Sequence, residues 1–236
     1  MLFGDRNAHS VSCPSVLVLA LDTATPAVTV GLLRLLDASP PQLLAERVAV
    51  NARAHGELLM PSVCEVLTSA GVRIRDLDAV VCGAGPGPFT GLRVGMVTAA
   101  ALGDALGIPV YPVGSLDAIA QQAGAGTPLL VVTDARRREV YWARYDETGA
   151  RVEGPHVDRP VDVPLAGLDR VAGAADTLGF PVLPVTVPPR HPNPVGLVAV
   201  AAAAVRAHAP PPPLTPLYLR RPDALEPGPV KRVTPV

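Results

Sequence analysis

Asp22 and Asp134 each close an apolar stretch, Val16 to Leu21 and Leu129 to Thr133. A carboxylate at the end of a buried strand holds a metal or a phosphate, or accepts the backbone N–H groups of its own turn. Their positions leave both readings open. His55 opens an apolar-periodic segment, where a histidine acts as a base or, more commonly, caps and packs. The five histidines, at positions 9, 55, 156, 191 and 208, are scattered. No H-x-x-H pair joins them, and Cys13, Cys64 and Cys82 form no C-x-x-C, so neither a zinc site nor a disulfide framework is expected. The loop from Gly83 to Gly91 is glycine-rich. It lacks the lysine of a P-loop, and Pro86 and Pro88 have no N–H to offer an anion. It reads as a rigid turn setting the angle of the helix after it. No G-x-S-x-G elbow occurs. The expectation is no catalytic residue, no metal and no cofactor.

The elements that position these residues come in two series. Val16–Leu21 has the continuous apolar pattern of a strand buried on both faces. Val28–Leu33 and Leu43–Val50 follow as strands. His55 to Ala70 changes to helical period, with Leu58, Leu59, Val63, Val66 and Leu67 on one side. Pro61 is awkward there, since proline is tolerated only in a first turn or with a kink. Ala79–Gly83 is a strand. Leu92 to Leu106 is a helix with Thr90 as expected N-cap and Gly107 as its stop. Pro109–Val113 is a fifth strand. Leu129–Ala135 then echoes the first strand, followed by Glu139–Tyr145, a turn at Asp146–Gly149, a return over Ala150–Glu153 and a strand at Val171–Ala175. Asn193-Pro194 is a cap followed by proline at the first helical position, and Leu197 to His208 is an Ala-rich helix. Three strands in a meander followed by right-handed crossovers make a ribonuclease-H-like arrangement. The fold class is therefore α/β, two ribonuclease-H-like lobes of the actin/hexokinase/Hsp70 superfold, the second abbreviated. The expected division is a flexible leader over 1–14, a first lobe over 15–125, a second over 126–222 and a tail over 223–236. Kinases of this superfold carry Asp-x-Gly-Thr in the first hairpin, and Ala24 stands where that glycine would be.

Apolar residues make up 49% of 236, enough for a sizeable core, but only 3% are aromatic, so Ala, Val and Leu must build it. The 28 prolines imply stiff, numerous loops. Lys231 is the one lysine, which reads as codon bias. The net charge of −1 and the absence of a long basic run make a poor nucleic-acid binder. Arg136-Arg137-Arg138 and Arg220-Arg221 read as a solvated strand edge and a tail. No signal peptide or membrane span is expected; the longest apolar run, Val195 to Val205, falls well short of the ~20 residues a span needs. A reducing cytoplasm fits the cysteines.

Four segments carry a resemblance: Leu19 to Thr25, His55 to Pro61, Gly83 to Gly95 and Asp134 to Ala143. In this order and spacing they resemble the TsaB (YeaZ) family of bacterial tRNA threonylcarbamoyladenosine proteins, and Pro216 to Pro222 looks like that family's tail. The likeness covers about Val16 to Pro222. It implies a non-catalytic partner of TsaD, a paralogue that transfers a threonylcarbamoyl group to the adenosine beside the anticodon. A separate synthase supplies threonylcarbamoyl-adenylate, and TsaE, an ATPase, engages the pair. TsaD binds its metal with a His-x-x-x-His pair; those positions here look like Ser115 and Ile119, which make no transition-metal site. The alternatives are a metal-dependent glycoprotease and a small-molecule kinase of the same superfold. The absent histidines oppose the first, and Ala24 opposes the second.

Gly95, Ala99 and Gly103 recur every four residues and allow close approach of a neighbour. That neighbour is either the chain's own sheet or another protein. In the family, the two first-lobe helices form a seam with TsaD or with a second copy, as a four-helix bundle. The expected interface is Leu58, Leu59, Val63 and Leu67 with Leu92, Gly95, Met96, Ala99 and Gly103. An arginine at Ala99 is expected to block pairing and leave the chain folded. Contact with tRNA is expected only through the partner.

Overall fold

The structure, a computed structural model, describes residues 15–37, 39–180 and 185–220. The leader, His9, Cys13, Arg221, Lys231 and the tail lie outside them.

The first series folds into a five-stranded sheet. Strands β1 (Val16–Asp22), β2 (Ala27–Leu35) and β3 (Gln42–Val50) form an antiparallel meander. Beside β1, β4 (Ala79–Gly83) and then β5 (Val110–Val113) add in parallel, giving the order β3-β2-β1-β4-β5. Crossovers to the parallel strands carry helices α1 (His55–Ser69) and α2 (Phe89–Leu106). Side chains on β1 alternate as a strand buried on both faces requires. Leu19 and Leu21 point into a cluster with Leu59, Val63, Val66, Leu92 and Met96 of the two helices. Val18 and Ala20 point the other way, into a cluster with Leu197, Val198, Ala201 and Val205.

Those last four residues belong to α4 (Pro194–Arg206). Its place in the sequence puts α4 in the second half, but its packing puts it on the back of the first sheet. The start is as read from Asn193-Pro194: the Asn193 side chain accepts the Gly196 N–H at 2.7 Å. Two other helix features differ from what the sequence suggests. Thr90 is no cap, because α2 begins at Phe89 behind Pro88. Pro61 lies inside α1, where its ring faces solvent.

The second series repeats the first. Strands β6 (Leu129–Asp134), β7 (Val140–Tyr145) and β8 (Arg151–Asp158) form a meander, and β9 (Arg170–Gly173) and β10 (Val185–Thr186) add in parallel beside β6. The order β8-β7-β6-β9-β10 has the topology of the first sheet. What shortens it is the crossovers: the described residues between β8 and β9, and between β9 and β10, carry only single 3₁₀ turns. A helix that the sequence reading missed, α3 (Ser115–Ala123), joins the sheets. Ala118 enters the core behind the first sheet, while its neighbours Leu116 and Ile119 enter a core on the second with Leu129, Val131 and Tyr141. A helix of nine residues gives too short a window for its period to stand out.

Candidate functional site

Asp22 is fully buried at the end of β1. One carboxylate oxygen accepts the Ala24 N–H at 2.8 Å and the other accepts the Ser115 hydroxyl at 2.5 Å. Gly83 leaves room for this pair, since a methyl group there would collide with the carboxylate. Burial pushes the Asp22 carboxyl up to about 6, against the Ser115 and Ala24 hydrogen bonds. Burial also pushes the neighbouring Cys82 thiol up, and the Asp22 charge adds to it. Asp134 repeats the pattern in the second sheet: it accepts the Arg136 N–H at 2.7 Å and pairs with the Arg136 guanidinium at 3.5 Å. Both strand-end aspartates therefore turn their own backbone.

The Gly83–Gly91 loop lies against the first hairpin. Side chains on Gly87 and Gly91 would strike the backbone of Ala24 and Thr23. Thr23 ties the contact, its hydroxyl donating to the Gly91 carbonyl at 2.7 Å and accepting the Gly95 N–H at 3.0 Å. The turn around Ala24, where a kinase of this fold class would approach phosphate, is covered by the loop. His55 donates from Nε2 to the Thr25 carbonyl at 2.8 Å, which fixes α1 to the same turn. Ser115 and Ile119 are both fully buried on α3, the serine on Asp22 and the isoleucine in the second-sheet core. Asp117, between them, accepts the Tyr145 hydroxyl at 2.8 Å and pairs with Arg151 at 3.2 Å. Among the described residues, no group of three His, Cys, Asp or Glu side chains is placed to hold a metal.

A cleft of about 600 Å³ separates the sheets, lined by Thr25, Pro26, Val50, Thr133, Asp134, Arg190 and His191 among others. Thr133 Oγ1 and His191 Nδ1 are buried in its wall without hydrogen-bond partners. Burial, and next the Arg190 charge, pull the His191 imidazole below its ordinary value.

The helix face expected to dock on a partner is turned inward. Leu59, Val63, Leu67, Leu92, Gly95, Met96, Ala99 and Gly103 are buried in the chain's own core, and Leu58 is half-buried against it. Side chains on Gly95 and Gly103 would collide with Thr23 and with Val110 of β5. Of the two readings of the small-residue row, the chain's own sheet is the neighbour. The same helices expose other residues: Met60 and Glu65 on α1, and Phe89, Arg93, Val97, Ala100 and Ala101 on α2. Val97 is 66% exposed. Beside it the Arg93 guanidinium lies 3.7 Å from the Phe89 ring centre, and Arg93 Nε donates to the Tyr218 hydroxyl at 2.8 Å. Phe89 stacks on Tyr218 with ring centres 5.0 Å apart. Leu214, Pro216 and Tyr218 complete a shallow, mostly apolar groove along α2. Sequence reasoning missed this face because it followed the strongest apolar period, which marks the buried side of a helix.

The profile of the TsaD family, tRNA N6-adenosine threonylcarbamoyltransferase, matches residues 42–189, a likeness of shared fold. The uncharacterized protein Rv3421c of Mycobacterium tuberculosis is 56% identical over 207 residues, covering 88% of this chain and 93% of that protein. The tRNA threonylcarbamoyladenosine biosynthesis protein TsaB of Escherichia coli is 36% identical over 137 residues, covering 56% of this chain and 57% of that protein. The crystal structure of YeaZ from Pseudomonas aeruginosa superposes with a TM-score of 0.70 at 30% identity, covering 86% of this chain and 100% of that one. The two lobes are those of an actin-like fold, and the chain belongs to the TsaB (YeaZ) family of tRNA threonylcarbamoyladenosine biosynthesis proteins.

Proposed function

We propose that this chain is a non-catalytic subunit that pairs with a TsaD-type paralogue and supports its transfer of a threonylcarbamoyl group to the adenosine next to the tRNA anticodon. The observation that carries this reading is the state of α3. The two positions corresponding to the paralogue's metal histidines are Ser115 and Ile119, and both side chains are committed to the fold's own interior. A chain with that site filled contributes by contact. The contact surface is the outward side of α1 and α2, which presents Met60, Phe89, Val97 and Ala100 with a rim of Arg93 and Glu65. Apolar centres with a polar rim are the usual anatomy of a protein interface. The same face serves a second copy of the chain as an isologous pair when the paralogue is absent. TsaE engages the assembled pair.

The test is reconstitution with TsaD, TsaE, ATP, threonylcarbamoyl-adenylate and unmodified tRNA. The chain alone is expected to yield no modified tRNA, and the full set is expected to require it. Undiminished yield on leaving the chain out would overturn the reading.

A further inference from the structure

We propose that the cleft between the two sheets is a binding site for an uncharged, hydroxyl-rich small molecule, of which a sugar ring is the type. The inference goes beyond the pairing with TsaD and does not depend on it. The cleft opens at the carboxyl ends of β6 and β9, with Thr133 and Asp134 on the first and Ala174, Thr177 and Leu178 following the second. There the chain leaves β6 toward β7 on one side, while β9 lies parallel to it on the other. Crevices outside the carboxyl ends of strands, at such a switch of direction, are where α/β sheets bind ligands. A volume of about 600 Å³ lies within the usual range of small-molecule sites.

The wall carries two polar groups with nothing to bond. Thr133 is 3% exposed, and among the described residues its Oγ1 has no hydrogen-bond partner. The same holds for His191 Nδ1, also a buried atom. The other hydroxyls of the wall are engaged: Thr25 accepts the Ala27 N–H at 3.2 Å, and Thr177 donates to the Ala174 carbonyl at 2.9 Å. Buried polar atoms rarely go without a partner, so each of the two calls for one that the fold does not supply. Their setting is rigid. Gly173 N–H donates to the Pro189 carbonyl at 3.0 Å and the Thr29 hydroxyl to the Pro192 carbonyl at 2.9 Å, so the segment bearing His191 is held from both sheets. The charges of the wall decide the class of ligand. Asp134 is paired with Arg136 at 3.5 Å, and Arg190 with Asp176 at 3.0 Å. Burial, and next the Arg190 charge, lower the His191 imidazole below its ordinary value, so the ring is neutral at pH 7. A wall with its charges paired favours an uncharged ligand over a phosphate or an ammonium group. What remains is a hydroxyl and a neutral ring nitrogen, and a ligand hydroxyl, which both donates and accepts, satisfies either. Pro26, Val50 and Leu178 offer apolar surface to the C–H faces of a sugar ring.

The experiment is calorimetric titration of the full chain with D-ribose, adenosine, AMP and inorganic phosphate. Saturable binding of ribose or adenosine is expected, with AMP no tighter than adenosine and phosphate not bound. Similar affinities for ribose and adenosine assign the site to a free sugar, and a gain of about ten-fold or more for adenosine assigns it to a nucleoside. Thr133→Val removes the hydroxyl at nearly constant shape. It is expected to weaken binding about ten-fold and to leave the melting temperature unchanged or higher, because an unpartnered hydroxyl adds nothing to the fold. Thr133→Ser is expected to keep the affinity, and His191→Phe to weaken it by a similar factor to Thr133→Val. Failure of both ribose and adenosine to bind, the cleft then holding ordered water only, overturns the proposal. So does tighter binding of AMP or phosphate than of adenosine, or a Thr133→Val protein that melts well below the parent, since its hydroxyl would then be bonded within the fold.

Discussion

Asp22 is a buried carboxyl that accepts hydrogen bonds from a hydroxyl and an amide. Its folded value of about 6 lies above the ordinary 3.8, so the folded state binds the proton more tightly than the unfolded chain. The stability it contributes is present below ~3.8 and lost as pH rises through ~6, about 3 kcal/mol in all by linkage. Asp22→Asn keeps an acceptor for the Ala24 N–H and removes the titration. The stability of this variant relative to the parent is expected to rise between pH 4 and pH 7, read from denaturant melts at each pH. A difference independent of pH would show that Asp22 ionises as readily folded as unfolded. The turn-forming role of both aspartates was one of two readings open in the sequence. The Ser115 hydroxyl could not be read there, because it comes from 93 residues away across a parallel crossover.

At the scale of elements, α2 separates an inner face from an outer one. Ala99 is fully buried toward the first sheet, so Ala99→Arg forces an unpaired charge into packed core. A loss of about 3–5 kcal/mol is expected, or a melting temperature lower by at least ~6 °C. This corrects the expectation that the chain would stay folded. Val97→Arg, two residues away on the opposite, exposed side of the helix, is expected to leave melting unchanged and to reduce capture by the TsaD-type partner at least ten-fold in a pull-down titration. A folded Val97→Arg protein that pairs normally removes this face from the interface. Helix periodicity located α1, α2 and α4 from their residues, with ends displaced by a few positions. What it cannot supply is whether an apolar stripe is covered by the chain itself or by another chain, since both demand the same period.

For the whole molecule, the two sheets share one topology but not two independent cores. Ala118 and Ile119 are adjacent on α3 and enter the interiors behind different sheets. Unfolding is therefore expected as a single calorimetric transition, and Ile119→Ala is expected to lower it by about 2–5 kcal/mol without splitting it. Two resolved transitions would show that the halves melt separately. The echo of the first strand in Leu129 to Asp134 made the repeat legible from sequence, and the missing helical periods made the second half legibly short. The destination of α4 was not legible: its residues say only that it needs an apolar partner, and proximity along the chain pointed to the wrong sheet.

The final described segment has a mechanical consequence. Leu217 N–H bonds to the Ala84 carbonyl at 2.9 Å, between Leu214 in one core and Leu219 in the other. Tyr218 braces Phe89 and Arg93 at the outer face of α2, and Arg220, two residues on, braces Ala135 and Glu139 at the turn between β6 and β7. Extended backbone spans only ~7 Å over that interval. A slip of this strap along its own axis would displace both braces at once, so the outer face of α2 and the turn between β6 and β7 are kept in alignment by one piece of chain.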